Sequence, residues 1–200
     1  MRYLSLLKLK MMHRFLSLLG FFIYVSMTFP HSAMATGEAV EIVLSRSQHK
    51  LMVKRNGQTL RSYKVALGSG GSTSKTREGD YKTPSGQYRI TNVRESDKFH
   101  LFIQLNYPNM SDATKALRSN VISRKQYRDI LDAHVYGLQP PQNTALGGAI
   151  GIHGIGLETD EKIQIHQNID WTRGCIALRN QEIEELSQLI SKGTPVSIVE

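Results

Sequence analysis

An Asn-Gly pair between two alternating runs of apolar and polar residues limits the fold of this chain more than any other feature. Apolar side chains recur at every second position over much of the stretch from Glu41 to Ala66, on both sides of Asn56-Gly57. This pattern is typical of a β-hairpin, because strand side chains alternate between two faces and Asn-Gly favours the tight turn. Further strands are predicted at 87–93 and 99–105, so we expect the front half of the domain to be all β.

The second half of the chain mixes helical and strand patterns. Three helices and two short strands are predicted there from cap residues, apolar spacing and glycines. No internal repeat or linker-like segment follows residue 40, so we expect one mainly β domain with a few helices. The helices are predicted to begin at Ser111-Asp112, at Ser123 and at Asn180, the last two ending at Gly137 and Gly193; the strands are predicted at 149–153 and 196–199.

The first 35 residues differ from the rest of the chain. They hold four basic residues and no acidic one, a mostly apolar run from Phe15 to Phe29, and Ala33-Met34-Ala35, which matches an A-x-A cleavage site. This pattern is typical of a secretory signal peptide. An uncleaved membrane anchor is the alternative, but the apolar run is shorter than the roughly 20 residues of a membrane span. We therefore expect an exported, periplasmic protein whose catalytic domain covers residues 36–200.

The charge of the chain does not favour nucleic-acid binding. The formal net charge of +8 falls to +4 for residues 36–200, because the predicted signal peptide removes four basic residues and no acidic one. No dense basic run with interleaved aromatic residues is found, so a nucleic-acid partner is not predicted. A moderately cationic domain suits an anionic surrounding such as the cell envelope.

Cys175 is the only cysteine among the 200 residues, so it cannot form a disulfide within the chain. In an oxidising compartment a free thiol is a liability unless it is buried or used. Gly174 lets the backbone turn sharply before the thiol and can aim neighbouring amides at a developing oxyanion. Arg173 is expected to favour the thiolate. A buried structural thiol is the alternative, but these neighbours favour a nucleophile.

His153 is the candidate general base for this thiol. It lies at a predicted strand end, and adjacent glycines such as Gly154 permit the close approach of another loop. A histidine that is merely hydrogen-bonded at a strand end is the alternative. His166, nine residues before Cys175, is the competing base, whereas His134 lies on an apolar helical stripe and is interpreted as a core or groove residue. One cysteine and scattered histidines do not form a tetrahedral set, so no metal site is predicted.

Three ordered motifs resemble those of the L,D-transpeptidase catalytic domain, also called the YkuD-type domain. They are the stretch from Glu78 to Tyr88, His153-Gly154, and Thr172-Arg173-Gly174-Cys175. The similarity runs from about Glu41 to Val199. It implies a β-sandwich-like fold and an enzyme that acts on peptidoglycan stem peptides without a cofactor.

The resemblance also implies a role for each matching residue. Cys175 would attack a diaminopimelate carbonyl, form a thioester and release D-alanine, and an amine or water would then resolve the thioester. His153 would accept the thiol proton, and the Gly154 carbonyl would orient its imidazole. The amides of Gly174 and Cys175 would form the oxyanion hole.

The chain departs from the family pattern around the cysteine. Ala177 stands where many relatives have a substrate-facing arginine, and the interval between the histidine and the cysteine is longer. Arg173, with its neighbours Thr172 and Trp171, is therefore expected to bind substrate, and Arg179 is the other candidate for the missing arginine. A stem-peptide carboxylate is the expected ligand, because arginine contacts carboxylates with two parallel hydrogen bonds.

The motif Asp-Trp-Thr-x-Gly-Cys-Ile-Ala at residues 170–177 resembles a subgroup that includes hydrolases of lipoprotein–peptidoglycan bonds. Three functions therefore stay open. A transpeptidase, which links two diaminopimelate residues or attaches protein to peptidoglycan, is the leading hypothesis. An amidohydrolase that releases a covalently attached envelope lipoprotein is the second, and a wall-binding module with an unreactive, buried Cys175 is the third.

Overall fold

The computed structural model describes residues 40–200, and the predicted signal peptide of residues 1–35 lies outside them. Within the described range the chain forms eight strands and four α-helices, so the prediction of a mainly β domain with a few helices is confirmed. The strands are β1 (Val40–Ser45), β2 (Lys50–Arg55), β3 (Gln58–Lys64), β4 (Gly86–Ser96), β5 (His100–Leu105), β6 (Gly151–Gly154), β7 (Ile176–Leu178) and β8 (Pro195–Val199). The helices are α1 (Met110–Arg118), α2 (Arg124–Val135), α3 (Asp160–Asn168) and α4 (Asn180–Leu189).

The strands form one sheet in the order β3-β2-β1-β8-β4-β5-β6-β7. β4 joins its two halves, because residues 86–89 pair with β8 whereas residues from Ile90 onward pair with β5. The register of the second pairing shifts between Ile90 and Asn92, and such an irregularity bends a strand. The two halves therefore give the sandwich-like arrangement that the sequence resemblance implied.

The segment after β3 pairs with β7 and with the loop that precedes it. Ala66 and Ala177 exchange two backbone hydrogen bonds, of 3.2 and 2.8 Å. Two residues further along, Gly68 forms a parallel bridge with Thr172. The end of the β2–β3 hairpin is thereby connected to the loop that carries Cys175.

Strands β1 to β3 follow the period-two pattern, and Asn56-Gly57 forms the turn between β2 and β3. Ile42 of β1 and Val53 of β2 are fully buried in the core between the two halves of the sheet. Asn56 and Gly57 both have positive φ, 52° and 78°, as the tight hairpin turn requires. Full burial of an apolar side chain of this size contributes about 1.5–3 kcal/mol, so the alternation in the sequence translates directly into packing energy.

The observed start of α1 differs from the prediction. The helix begins at Met110, and its cap is Asn109, whose side chain accepts a hydrogen bond from the Asp112 amide while the Asp112 carboxylate accepts from the Asn109 amide. Ser111 is therefore inside the helix rather than at its cap. The start of α2 at the predicted cap Ser123 is confirmed.

The bounds of α4 also differ from the prediction at both ends. Asn180 is the first helical residue and Arg179 the cap position, because the Asn180 side chain bonds the backbone of Gly156. The helix ends at Leu189 rather than at Gly193.

Sequence patterns did not predict α3. Thr159 caps it by accepting a hydrogen bond from the Lys162 amide, and Asp160 and Glu161 complement the helix dipole in the first turn. The apolar stripe that normally reveals a helix is weak here, since His166 is its one fully buried residue. No helix among residues 40–200 is both long and apolar enough to cross a membrane.

Candidate active site

Cys175 directly precedes β7, which runs parallel to β6 with Ile176 opposite Ile152. Continued by one residue, this register places Cys175 beside Gly151. The half-buried thiol donates a hydrogen bond to the Ala149 carbonyl, with 3.4 Å between Sγ and oxygen. Gly151 and His153 are two residues apart on β6, so they share one face of that strand. Cys175, which lies beside Gly151, therefore faces the same side of the sheet as His153.

Thr172 organises the loop around the thiol. Its buried hydroxyl donates to the Cys175 carbonyl at 2.7 Å and accepts from the Gly174 amide at 3.1 Å. These two bonds lie on either side of the Gly174–Cys175 peptide unit and hold its plane. Both observed partners of its hydroxyl lie within the loop, and the assignment of Thr172 to substrate binding stays a prediction.

Gly174 has a conformational and a steric reason to be glycine. Its φ is 119°, a region that residues with a Cβ rarely adopt, and an added Cβ would lie 2.7 Å from the Lys82 carbonyl oxygen. In this structure the Gly174 amide donates to the Thr172 hydroxyl, and its part in an oxyanion hole stays a prediction. The amide of Cys175 itself remains as the candidate donor.

His153 lies in a dry aromatic environment at the end of β6. Its side chain is 2% exposed, its ring centroid is 4.1 Å from that of Phe99, and its ring meets the edge of Trp171 at 5.8 Å. Nδ1 is 2.8 Å from the Gly154 carbonyl, which can only accept, so Nδ1 carries the proton and Nε2 presents its lone pair. The arrangement suits a proton acceptor.

Burial makes both reactive groups neutral near pH 7. It lowers the pKa of His153 to about 4, against the opposing effect of the Gly154 hydrogen bond, and nearby cations lower it further. Burial also raises the pKa of the Cys175 thiol to about 11, although the Gly151 amide and the charge of Lys75 oppose this. The charge that lowers the thiol pKa in this structure is that of Lys75, and desolvation outweighs it. The expectation that Arg173 favours the thiolate stays a prediction.

The other two histidines considered from sequence have different surroundings. His166 is buried on α3, its pKa is lowered by burial, and its Nδ1 lacks a hydrogen-bond partner within the described residues. It lies on α3 and not on β6, the strand that pairs with β7 and carries His153. His134 donates from Nε2 to the Pro108 carbonyl at 2.8 Å, which agrees with its interpretation as a groove residue.

A cleft of about 230 Å³ lies beside residues 170–175, the segment that ends at Cys175 and is called the thiol loop. Its lining includes Lys75, Tyr81, Ile150 and Arg173, and the adjacent Ala149 is the residue that accepts the thiol hydrogen bond. Lys75 is buried and pairs with Asp80 at 2.8 Å. Lys75, Arg173 and the acidic Glu78 therefore form a charged wall of the cleft next to the nucleophile, in which the charge of Lys75 is paired.

The loop that forms this wall is ordered by Asp80, part of the motif from Glu78 to Tyr88. Besides Lys75, its carboxylate accepts from three backbone amides, those of Thr76, Arg77 and Lys82, at 2.7, 3.0 and 3.1 Å. Burial alone would raise the pKa of Asp80, but these hydrogen bonds lower it to about 2. Asp80 therefore stays ionised and holds Lys75 next to the thiol.

The two arginines near Cys175 differ in availability. The guanidinium of Arg179 donates two parallel hydrogen bonds to the Glu158 carboxylate, from Nε at 3.2 Å and from Nη2 at 3.0 Å. Arg173 is exposed, its guanidinium lies 5.8 Å from the centre of the Tyr81 ring, and it has no ion pair within residues 40–200. Arg173 is the better placed of the two to receive a carboxylate.

The position of the missing family arginine cannot face a substrate here. Ala177 is fully buried and its backbone pairs with Ala66. A separate cavity of about 590 Å³, lined among others by Glu95, Asp97 and Glu184, includes neither Cys175 nor His153. No group of three potential metal ligands is found among residues 40–200.

The chain was compared with known proteins. The family model described as the YkuD L,D-transpeptidase catalytic domain matches residues 39–198. YafK of Escherichia coli (strain K12), provisionally named an L,D-transpeptidase, is 26% identical over 171 residues, which cover 84% of this chain and 52% of YafK. The chain thus spans about half the length of the curated relatives it matches.

Two solved structures share the fold. The helical cell shape determining protein Pgp2 from Campylobacter jejuni is 23% identical with a TM-score of 0.52, covering 80% of this chain and 47% of that one. Bd1075 from Bdellovibrio bacteriovorus is 23% identical with a TM-score of 0.51, covering 80% and 48%. Because the family model covers most of its length, this chain belongs to the YkuD family of L,D-transpeptidase catalytic domains.

Proposed function

We propose that the chain is a cysteine acyltransferase of the L,D-transpeptidase type, which transfers peptidoglycan stem peptides through a thioester at Cys175. The observation that carries this proposal is the common face of Cys175 and His153, with the free Nε2 of the histidine fixed by the Gly154 carbonyl. A nucleophile, a base and an orienting acceptor are the three parts that thiol acyl transfer requires.

In the first half-reaction the His153 Nε2 accepts the thiol proton while Sγ attacks the carbonyl carbon of a diaminopimelate residue. The C–N bond to D-alanine then breaks, and the leaving amine takes the proton from the imidazolium. The acyl group remains on sulfur as a thioester. In the second half-reaction an acceptor amine attacks the thioester, its proton passes through His153 to the sulfur, and a new amide leaves the restored thiol.

The oxyanion of each tetrahedral intermediate is assigned to the amide of Cys175. That N–H belongs to the peptide unit whose plane Thr172 holds from both sides. A donor that is oriented in advance stabilises charge without reorganising during the reaction, and each such donor is typically worth about 10²–10³ in rate. Thr172 thus acts as a positioning residue in this proposal.

Substrate binding is assigned to the cleft beside the thiol. The exposed guanidinium of Arg173 would hold a stem-peptide carboxylate, and Trp171 would contribute an apolar wall beside His153. The chemistry needs no cofactor. The predicted signal peptide would place the enzyme in the periplasm, where these substrates occur.

Water is a second candidate acceptor. The buried Ala177, at the position where many relatives have a substrate-facing arginine, is the observation that favours a different acceptor preference. Hydrolysis of a thioester formed on a peptidoglycan-linked lipoprotein would release that lipoprotein. The nucleophile and the base are the same in both cases, so the acceptor alone separates the two activities.

Mass spectrometry of muropeptides tests the proposal. The purified protein is incubated with tetrapeptide-bearing muropeptides and an amine acceptor in ¹⁸O-labelled water, with Cys175→Ala as the matched control. We expect loss of D-alanine and gain of the acceptor for a transpeptidase, or gain of one heavy oxygen for a hydrolase. A protein that alkylating reagents label at Cys175 but that leaves both tetrapeptide and lipoprotein-linked muropeptides unchanged would contradict it.

A further inference from the structure

Asp170 begins the motif at residues 170–177 but has no role in the proposed mechanism, and its carboxylate connects two distant parts of the chain. Oδ1 accepts a hydrogen bond from the Leu67 amide at 2.7 Å, and Oδ2 is 2.9 Å from the His49 Nε2. His49 lies in the turn between β1 and β2, and Leu67 lies in the segment after β3. The carboxylate therefore connects the β1–β2 turn and the segment after β3 to Asp170, the first residue of the thiol loop.

A chain of hydrogen bonds continues from Asp170 to the nucleophile. The Leu67 carbonyl accepts from the Thr172 amide at 3.0 Å, and the Thr172 carbonyl accepts from the Ser69 amide at 3.0 Å. The Thr172 hydroxyl then binds the Gly174 amide and the Cys175 carbonyl. Each link fixes the backbone on which the next one depends.

We infer that Asp170 is a positioning residue for acyl transfer: through Leu67 and Thr172 it sets the orientation of the Cys175 amide. Asp170 does not touch the thiol, so its effect should fall on oxyanion stabilisation and not on the reactivity of the sulfur. His49 contributes by holding the carboxylate in the conformation that meets Leu67. The inference rests on the proposed function, because it assigns a part within the same reaction.

The tightness of the loop crossing supports this assignment. A Cβ on Gly68 would lie 2.2 Å from the Tyr81 carbonyl oxygen and 3.0 Å from the Gly174 Cα, so the backbones meet with no side chain between them. At such a crossing, small displacements of the Leu67–Ser69 segment pass directly to Gly174. A carboxylate that holds this segment at one end can therefore change the geometry of the oxyanion donor.

Two reactions of the same thiol test the inference. Acylation by a carbapenem forms an oxyanion, whereas alkylation by iodoacetamide does not, so a defect in the oxyanion donor slows only the first. We expect Asp170→Ala to lower the acylation rate about 10-fold or more while alkylation stays within about twofold of wild type. Asp170→Asn should retain acylation within about threefold, because its amide oxygen can still accept from Leu67.

Asp129→Ala is the matched control, since it removes an acid whose partner Lys125 lies on the exposed face of α2. Equal acylation by wild type and Asp170→Ala, or an equal loss in both reactions, would overturn the inference. If Asp170→Ala does not fold, His49→Ala decides, with slower acylation and unchanged alkylation expected and unchanged acylation overturning it. A wild-type protein that reacts with iodoacetamide but is not acylated would refute the proposed function itself and the inference with it.

Discussion

The two halves of the candidate active site are prepared in opposite ways. His153 belongs to a regular strand, is 2% exposed and is surrounded by aromatic rings, and one carbonyl sets its tautomer. Cys175 lies in an irregular loop beside a cleft lined by charged residues of both signs, and side-chain hydrogen bonds hold its backbone. Desolvation prepares the base, whereas hydrogen bonds in the loop prepare the nucleophile. Substitutions should therefore have different signatures on the two sides.

Removing the sulfur should have the largest effect on the nucleophile side. Cys175→Ala and Cys175→Ser should abolish thioester formation with a stem peptide or a carbapenem, because no other thiol exists in the chain. The fold should persist, since the side chain is small and only half-buried. Intact-mass analysis measures the adduct. An adduct on Cys175→Ala would show that another residue is the nucleophile.

Removing the base should have the second largest effect. His153→Ala should lower the acylation rate by about 10²–10⁴-fold, the usual contribution of a general base. His166→Ala is the matched control, because it also removes a buried histidine, but one that lies on α3 and not on β6, the strand paired with β7. Stopped-flow acylation and thermal melting of both variants separate catalysis from stability. Our assignment of the base is wrong if His166→Ala is the slower enzyme.

The rates of acylation and of alkylation should depend differently on pH, with a difference of about tenfold for each pH unit. With the His153 pKa at about 4 and the thiol pKa at about 11, both groups are neutral between pH 6 and 9. Acylation by a carbapenem that does not ionise in this range should therefore be nearly constant, because it needs the neutral imidazole. Alkylation by iodoacetamide should rise about tenfold per unit, because it follows the thiolate fraction. Alkylation that is already constant at pH 6 would indicate a preformed thiolate–imidazolium pair.

Exchanging an arginine for lysine should have the smallest effect. Arg173→Lys keeps the charge but loses the fork, so we expect about a fivefold increase in KM for a stem peptide, with alkylation of Cys175 unchanged. Arg179→Lys is the control, because its fork is already on Glu158, and KM should stay near wild type. Steady-state kinetics of the two variants measure the difference. An unchanged KM in Arg173→Lys would remove this residue from the binding site.

The parts of the molecule that were predictable from sequence are those set by local patterns. The hairpin at Asn56-Gly57 and the cap Ser123 depend on neighbours a few residues away. Helix α3 was missed because its buried face is narrow. The raised thiol pKa was also missed, because burial by residues distant in sequence outweighs the opposing effects of the Gly151 amide and Lys75. Likewise, no local pattern pairs His49 with Asp170 or the Gly174 amide with the Thr172 hydroxyl.

The contacts between the segment after β3 and the thiol loop affect how the domain folds and how it loses activity on heating. Leu67 and Asp170 are 103 residues apart, as are Ser69 and Thr172, so these contacts close one of the longest loops in the domain. Closing such a loop costs entropy that local contacts do not repay, so pairings of this range form late in folding. The thiol loop depends on these long-range bonds and lies outside the regular strands, which favours its local opening before the core melts. Catalytic competence should thus be the last property acquired during folding and the first lost on heating.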